Sequence, residues 1–188
     1  MDGLRERRKQ RTRKALSDAA AAMFAERGFD GVTISEIAAA ADVAVGTVFN
    51  YFRTKEELFF DREGQLTAGL IQAVSGSDDP IQAFRAWHES ELDFLLDPRA
   101  ADLTMRFFQT IAESQTLPDA ELRLHRRLET ALGQALGDPI LAALLLAAHR
   151  SVLELARADV LAGRPPRRAT ETAFAMLIRP PTGGPDQR

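Results

Sequence analysis

Apolar residues recur every three to four positions through most of this chain, which is the spacing of an amphipathic helix rather than of a strand. Near the N-terminus this repeat predicts a helix that begins near Arg5 and ends before Gly28, a residue type that often closes helices. The apolar positions of this helix are Leu16, Ala20, Met23 and Phe24. Strand signals are weak, since the chain has one Tyr and no alternating run of Val and Ile. The pattern therefore predicts an all-α protein.

A capping sequence marks the start of the second helix. The residues from Thr33 to Glu36 have the form of a capping box, in which the Thr side chain caps the helix and the Glu side chain reaches back to the cap. We expect this helix to end at about Ala40. After a short turn, a third helix is predicted over 45–52.

The rest of the chain is punctuated by a second capping sequence and by prolines. Thr54 and Glu57 repeat the capping arrangement and predict one long helix over 55–73. Each later helix begins at a Pro or directly after one. These helices are predicted at 80–96, 99–114, 119–136, 139–162 and 167–178. The final segment, 180–188, is rich in Pro and Gly and is expected to be a disordered tail.

The two short helices at 33–40 and 45–52 have the arrangement of a helix-turn-helix motif. The residues expected to pack them crosswise are Ile37, Ala38, Val43, Val48 and Phe52. The second helix then presents a surface without acidic groups, made of Ala44, Val45, Gly46, Thr47, Phe49, Asn50 and Tyr51. Such a helix fits the major groove of DNA, which is about 12 Å wide, and carries no charge that repels phosphate. Core packing is the alternative role for Phe49 and Tyr51.

Composition narrows the class of protein. The 188 residues are 45% hydrophobic and 27% charged, which is ordinary for a soluble globular chain. The absence of Cys excludes disulfides, Cys-based metal sites and a thiol nucleophile. The longest apolar run, Ile140–Ala148, is far shorter than the roughly 20 residues of a membrane span. We therefore expect a cytoplasmic protein with no membrane partner.

Charge is distributed unevenly along the chain. The first 14 residues carry seven basic and two acidic side chains, whereas the remainder carries 17 basic and 25 acidic ones. A basic arm on an acidic body indicates a polyanionic partner at one end. The alternative is a solvated terminus that only improves solubility.

The sequence from Thr33 to Leu58, together with the preceding residues from Phe24, resembles the DNA-binding domain of the TetR family of bacterial transcriptional regulators. The matching features include the Gly28 and Gly31 pair and the Gly-Thr at 46–47. The resemblance covers about 8–60. It implies a helix-turn-helix DNA-binding domain with a basic arm at 1–54, a helical ligand-binding and dimerisation domain at 55–179, and a tail at 180–188.

The resemblance also implies DNA contacts by position. Asn50 is the expected base reader, because an amide binds adenine through two hydrogen bonds. Val45 and Phe49 are expected against thymine methyl groups, and Gly46 allows a close backbone approach. The expected phosphate or backbone contacts are Thr33, Thr47, Tyr51 and Lys55, with Ser35 against a base or a phosphate and Arg11 against a phosphate or the minor groove. Position 45 is often polar in this family, so we expect DNA shape to contribute more of the specificity here.

The predicted body offers two further sites. A ligand pocket with mostly apolar walls and a few polar groups is expected among Trp87, His88, Glu91, Phe94, Met105, Phe108, Ile111 and His149. Ordinary helical core is the alternative for each aromatic residue. The helix at 139–162 is apolar nearly all round and must be covered on all faces. A dimer interface is expected at Leu141, Leu144, Leu145, Val152, Phe174, Leu177 and Ile178, with burial inside one subunit as the alternative.

Together these features predict a ligand-responsive transcriptional repressor. It is expected to bind double-stranded operator DNA as a homodimer and to be released by a small hydrophobic effector. No phosphate loop, dinucleotide fingerprint or zinc-protease motif is present, so we expect no enzyme activity, cofactor or metal ion. A protein-interaction module and a non-specific DNA binder remain as alternatives, and the acidic body argues against the second.

Overall fold

The structure, a computed structural model, describes residues 2–178, so the predicted tail at 180–188 lies outside the described residues. Over this range the chain forms ten α-helices, one short 3₁₀ helix at Pro98–Ala100, and no strand. The helices are α1 Asp2–Arg27, α2 Ile34–Ala40, α3 Val45–Phe49, α4 Lys55–Phe59, α5 Glu63–Val74, α6 Pro80–Leu95, α7 Ala101–Glu113, α8 Leu117–Leu136, α9 Pro139–Leu161 and α10 Thr170–Ile178. The all-α prediction is confirmed.

The prediction of one long helix over 55–73 is wrong, because the chain breaks between α4 and α5. Phe60 ends α4 with a non-helical backbone conformation. Neighbouring side chains on a helix diverge by about 100°. The break instead lets both Phe59 and Phe60 pack on Phe107, with ring centroids 5.1 and 6.3 Å away. A contact made by α7 therefore sets the end of α4.

The chain divides into two compact units, and the first is not continuous in sequence. It comprises the chain up to Leu66 together with Arg106–Leu124. Its buried core is made of Leu16, Ala20, Phe24, Phe29, Val32, Ile37, Ala38, Val48, Phe52, Leu58, Ile111 and Leu117. The predicted domain boundary after residue 54 stays a prediction, while the compact unit includes parts of α7 and α8.

The second unit comprises Thr67–Met105 and the chain from His125 onward. Two of its helices begin in the same way, with an Asp cap followed by Pro at the first helical position. Asp79 accepts a hydrogen bond from the backbone N–H of Gln82, and Asp138 accepts from those of Ile140 and Leu141. Part of the core joins α6 to α9 and is formed by Leu92, Leu96, Val152 and Ala156.

A buried carboxylate closes the turn between α9 and α10. Asp159 is only 2% exposed and accepts hydrogen bonds from Arg164 and Arg167. The shortest of these joins Arg167 Nε to Asp159 Oδ2 at 2.6 Å. The two guanidinium groups hold the pKa of Asp159 well below its usual range. The ionised Asp159 thereby fixes the segment that leads into α10.

Helix α9 carries apolar side chains that the protomer does not cover. Ile140 is 73% exposed, Leu144 49%, Leu155 39% and Leu161 38%. Among the described residues, α9 is the one helix long and apolar enough to cross a membrane by length and composition, a test that core helices of soluble proteins also pass. Ile140, Leu144 and Leu155, the α9 stripe, are four and eleven residues apart and so share one face of α9, which no other part of residues 2–178 covers.

The structure corrects part of the predicted dimer interface. Leu145, Val152 and Phe174 are at most 1% exposed, so they belong to the protomer core and cannot face a second copy. Leu141 is half-buried, and Leu144 lies in the α9 stripe. The side chains of Leu177 and Ile178 lie outside the described residues.

Candidate nucleic-acid interface

The helix-turn-helix is held by side chains from α2 and α3 that are removed from solvent. Ile37 and Val48 are fully buried, and Ala38 is 1% exposed. In the turn, the backbone N–H of Val43 donates to the carbonyl of Ala38 at 3.0 Å. Asp42 takes a φ of +54°, which is the left-handed region that favours glycine. The direction of α3 relative to α2 thus depends on Asp42, whose backbone conformation is strained.

We expect replacement of Asp42 by Gly to leave stability unchanged or raise it, and replacement by Ala to lower it by about 1 kcal/mol. Both substitutions remove the same charge from an exposed side chain, so they differ only in the Cβ that the positive φ disfavours. Urea denaturation of the two variants checks this. Equal stabilities would show that the turn is not strained.

The outward face of α3 is small, apolar and uncharged. Phe49 is 52% exposed and Val45 39%, and both Gly46 and Asn50 are exposed. Nothing lies within 4 Å of the position that a Cβ on Gly46 would take, so this part of α3 is open to a close approach. The exposure of Phe49 excludes the core-packing alternative for that ring. The face suits a groove lined by base edges and methyl groups.

Two of the predicted phosphate contacts, one on α3 and one just after it, are only partly exposed. Thr47 is half-buried, and Tyr51 is half-buried against the core of the first unit. The backbone carbonyl of Tyr51 accepts a hydrogen bond from Arg13. The structure therefore gives Tyr51 a packing role, and its phosphate contact stays a prediction.

The capping box at the start of α2 is confirmed. The Thr33 backbone N–H donates to Glu36 at 2.8 Å, and the Glu36 N–H donates to the Thr33 hydroxyl at 3.3 Å. The same hydroxyl donates to Glu36 at 2.7 Å, and Arg27 donates to the other carboxylate oxygen. These bonds, led by that from the Thr33 hydroxyl, lower the pKa of Glu36 to about 2. Ser35 is exposed beside them, and DNA contacts by Thr33 and Ser35 stay predictions.

Lys55 has an internal role that its charge does not reveal. Its Nζ donates to the carbonyls of Phe29 and Val32 at 2.9 and 3.0 Å and lies 4.2 Å from the centre of the Phe29 ring. An ammonium group has three donors, so two are already committed within the unit. Only one donor of the ammonium group remains for the predicted contact of Lys55 with the DNA backbone.

Arg13 belongs to the basic arm by sequence, but its contacts lie inside the first unit. Its guanidinium donates to the carbonyls of Tyr51 and Asp61 and lies 4.3 Å from the Phe52 ring centre. It therefore ties α1 to the end of α3. The signal was its position three residues before buried Leu16, on the core face of the helix.

The remainder of the basic arm is helical and exposed. Helix α1 extends to Asp2, beyond the start predicted near Arg5. The exposed basic side chains of the arm are Arg5, Arg7, Arg8, Lys9 and Arg11. The arm thus presents a helical, positively charged surface next to the helix-turn-helix.

The segment 106–124 packs directly on the DNA-binding part of the first unit. Asp30 accepts hydrogen bonds from the Ser114 hydroxyl at 3.1 Å and the Gln115 backbone N–H at 3.0 Å. The turn that bears Asp30 is tight: a Cβ on Gly31 would lie 2.8 Å from the Arg27 carbonyl oxygen. A segment far along the chain therefore completes the α1–α2 turn.

The predicted ligand residues do not form one group. Trp87, His88 and His149 come together in the second unit, with 2.7 Å between the Nδ1 atoms of the two histidines. Glu91 and Met105 are half-buried in that unit, whereas Phe94 is 58% exposed. Phe108 and Ile111 are buried in the first unit, because their part of α7 packs there. No group of three or more potential metal ligands is placed to hold a metal ion within residues 2–178.

Acid is expected to weaken the second unit through its histidines. Burial lowers the pKa of His88 to about 4 and that of His149 well below its usual value. The unfolded chain then binds more protons than the folded one between pH 6.5 and 4, so the free energy of unfolding falls as the pH is lowered through this window. The full shift at His88 corresponds to about 3 kcal/mol.

Urea denaturation at pH 7, 6 and 5 measures this dependence. A His88→Asn variant, which loses one titrating group, should show a flatter dependence even if its stability at pH 7 is lower. An unchanged slope in the variant would contradict the assignment of the effect to His88.

The fold and the exposed α3 face define a helix-turn-helix DNA-binding protein. Residues 16–61 match the sequence model of a family described as bacterial regulatory proteins, tetR family. The HTH-type transcriptional regulator TcmR of Streptomyces glaucescens is 27% identical over 70% of this chain and 62% of its own length. The uncharacterized HTH-type transcriptional regulator YhgD of Bacillus subtilis is 29% identical over 58% of each chain. Over residues 16–61 this chain is therefore similar to the tetR family of bacterial regulatory proteins, and both curated relatives are described as HTH-type transcriptional regulators.

Solved structures agree with this fold. The SmeT–triclosan complex superposes with a TM-score of 0.57 and 23% identity over 94% of this chain and 99% of that one. NalD of Pseudomonas aeruginosa, described as the secondary repressor of the MexAB-OprM multidrug efflux pump, gives 0.53 and 18% over 91% and 95%. A TetR regulator from Rhodococcus sp. RHA1 gives 0.53 and 23% over 93% and 100%. The two curated relatives are matched over only about three fifths of their length.

Proposed function

We propose that the protein is a cytoplasmic repressor that binds operator DNA as a homodimer and is released by a small, mainly apolar effector. The observation that carries the proposal is the outward face of α3, with exposed Phe49 and Asn50 and no acidic side chain. The basic helical arm supports the DNA partner, because Arg and Lys neutralise phosphates and release counterions. Asn50, Val45 and Phe49 are the proposed base contacts.

The α9 stripe supports dimerisation. A two-fold axis brings the same patch of both copies together, which would cover Ile140, Leu144 and Leu155. Two α3 helices then enter successive major grooves about 34–36 Å apart. This symmetry predicts an operator with two inverted half-sites.

Release by an effector has support from the path of the chain. Helices α7 and α8 each begin in one compact unit and end in the other, so a rearrangement of the second unit acts on segments that complete the first. The triclosan-bound SmeT and the repressor NalD share this fold, which supports both an effector and a repressing role. An effector acts only if its affinity differs between the DNA-bound and released states.

The decisive experiment measures DNA binding as a function of salt and of base sequence. Duplexes selected from a random pool by the wild-type protein provide the site, and fluorescence anisotropy between 50 and 300 mM KCl gives the affinity. We expect log Kd to change linearly with log salt, with a slope of about 0.9 per phosphate neutralised. A salt-independent affinity would favour a protein-interaction module instead.

Two variants separate base reading from phosphate binding. Asn50→Ala should lose about tenfold or more of the preference at one base pair in each half-site. Arg11→Ala should weaken all duplexes alike and reduce the salt slope by about one per protomer. If Asn50→Ala weakens every sequence equally, Asn50 is not a base reader.

A further inference from the structure

All three histidines of the chain lie in the second unit, although α6, α8 and α9 contribute one each. The His88 and His149 rings are hydrogen-bonded through their Nδ1 atoms, and the His125 ring centre lies 6.4 Å from that of His149. His88 Nε2 is 3.2 Å from the Thr170 hydroxyl at the start of α10. Side chains from four helices therefore meet in one polar group, in which His88, His149 and Thr170 are buried and His125 is half-buried.

Trp87, the only Trp of the chain, lies against this group and has an unsatisfied donor. Its ring centre is 5.1 Å from that of His149, and its side chain is 8% exposed. The indole Nε1 is buried and has no hydrogen-bond partner. An unpaired buried donor costs about 1–3 kcal/mol. Such an atom beside an adaptable polar pair points to an acceptor supplied from outside the chain.

The neighbourhood of the indole N–H contains a bare stretch of helix. Gly69 of α5 faces it, and a Cβ placed on Gly69 would lie 3.7 Å from Trp87 Nε1. Gly69 has no side chain to offer an acceptor, and the carbonyls of an α-helix interior are already used in its own hydrogen bonds. The indole N–H therefore faces a part of α5 that offers it no hydrogen-bond acceptor.

The histidine pair lies among aromatic rings. Phe84 and Phe174 are fully buried, and their ring centres lie 5.9 Å apart. The charged groups nearest to His88 are Arg85 and Glu89, which pair with each other at 3.1 Å. Arg85 also pairs with Glu171 of α10. The two charged groups that act on His88 are thus paired with each other rather than available to a charged ligand.

The buried carboxylate of α9, Asp159, is too far from the histidine pair to balance a charge on a ligand there. Asp159 lies ten residues after His149, about 15 Å along the helix axis. Its charge is already balanced by Arg164 and Arg167. Burial also keeps both histidines neutral near pH 7, since it lowers their pKa values.

We propose that the effector is an uncharged molecule with a flat ring and a hydrogen-bond acceptor, and that the Trp87 indole N–H binds this acceptor beside the His88–His149 pair. The inference rests on the proposed effector-controlled function and specifies the ligand class. A neutral histidine has one donor and one acceptor, so the pair can reverse its hydrogen bond to suit a hydroxyl or a carbonyl. Because Thr170 begins α10, a ligand at the pair also acts on the contact between α6 and α10.

The test uses four small probes that share one aromatic ring. Acetophenone is neutral and has an acceptor, ethylbenzene has the same shape without one, and benzoate and benzylammonium carry opposite charges. A ¹H–¹⁵N spectrum contains one indole N–H signal, because the chain has one Trp. We expect acetophenone to move this signal downfield and to bind at least tenfold more tightly than the other three. Equal binding of ethylbenzene, or a signal that acetophenone leaves in place, would overturn the proposal.

Variants make the result specific to the indole N–H. Trp87→Phe keeps a ring but removes the donor, so saturation-transfer titration should show acetophenone binding no better than ethylbenzene. Ser90→Ala, on the exposed side of the same helix, is the control and should leave both affinities unchanged. If Trp87→Phe does not fold, Gly69→Ala provides a second variant, since its methyl group is tolerated at 3.7 Å and should weaken acetophenone binding.

Operator binding is measured on the same samples without probes. Retained operator binding combined with no preference for acetophenone rejects the ligand class alone. If the wild-type protein binds no operator, the proposed function is rejected. The preference for acetophenone over ethylbenzene then still decides the ligand class.

Discussion

Replacement of Leu144 by Glu is expected to leave the protein monomeric and to lower operator affinity at least 100-fold. Leu144 is 49% exposed in the protomer and lies within the α9 stripe. In a two-fold interface each substitution buries two carboxylates, and an unpaired buried charge costs several kcal/mol. Since 1.4 kcal/mol is a factor of ten, dissociation follows at micromolar concentration. Operator affinity falls because a monomer binds one half-site, whereas a dimer binds two half-sites at once.

Analytical ultracentrifugation and operator titration measure these two effects. Leu103→Glu is the matched control, because Leu103 is 68% exposed on α7 and lies outside the α9 stripe. It should remain dimeric and bind operator normally. A Leu144→Glu protein that still sediments as a dimer would place the interface elsewhere and leave the α9 stripe unexplained.

Replacement of Ile111 by Ala is expected to destabilise the helix-turn-helix by about 2–5 kcal/mol. Ile111 is 1% exposed and belongs to the same core as Leu16 and Val48, although it lies on α7. Loss of its methyl and methylene groups leaves a cavity that rigid neighbours fill only in part. Because small domains are stable by only about 5–15 kcal/mol, operator binding should weaken as well.

Hydrogen exchange shows where this effect falls. Amides of α1 to α4 should exchange faster in Ile111→Ala, while those around His149 in the second unit change little. Leu103→Ala, an exposed substitution on the same helix, should shift stability by no more than about 0.5 kcal/mol. Protection lost only in the second unit would contradict the assignment of Ile111 to the DNA-binding core.

Local signals explain which parts of the fold could be predicted. The capping box at Thr33, the glycine closing α1 and the Asp-Pro starts of α6 and α9 depend on neighbouring residues, so the sequence alone reveals them. The break after Phe59 depends on Phe107, which is distant in sequence, and no local pattern announces it. Periodicity locates a helix but does not say which partner covers each face.

The same limit applies to the candidate sites. Phe49 is exposed on α3 and Trp87 lies against His149, while their roles in DNA and ligand binding stay predictions. The resemblance implies a DNA contact for Lys55, but backbone carbonyls also attract an ammonium group, and their positions cannot be read from a sequence. On α9, Val152 and Leu155 have the same chemical character, and only the packing shows which is covered.

The split composition of the first unit has a consequence for building chimeric regulators. The simplest exchange of a DNA-binding module cuts the chain once, after the helix-turn-helix. Here such a cut would place a foreign α1–α2 turn against Ser114 and Gln115, and foreign aromatic rings against Phe107. A working chimera must therefore transfer 106–124 together with the N-terminal segment, because the two segments form one folded unit.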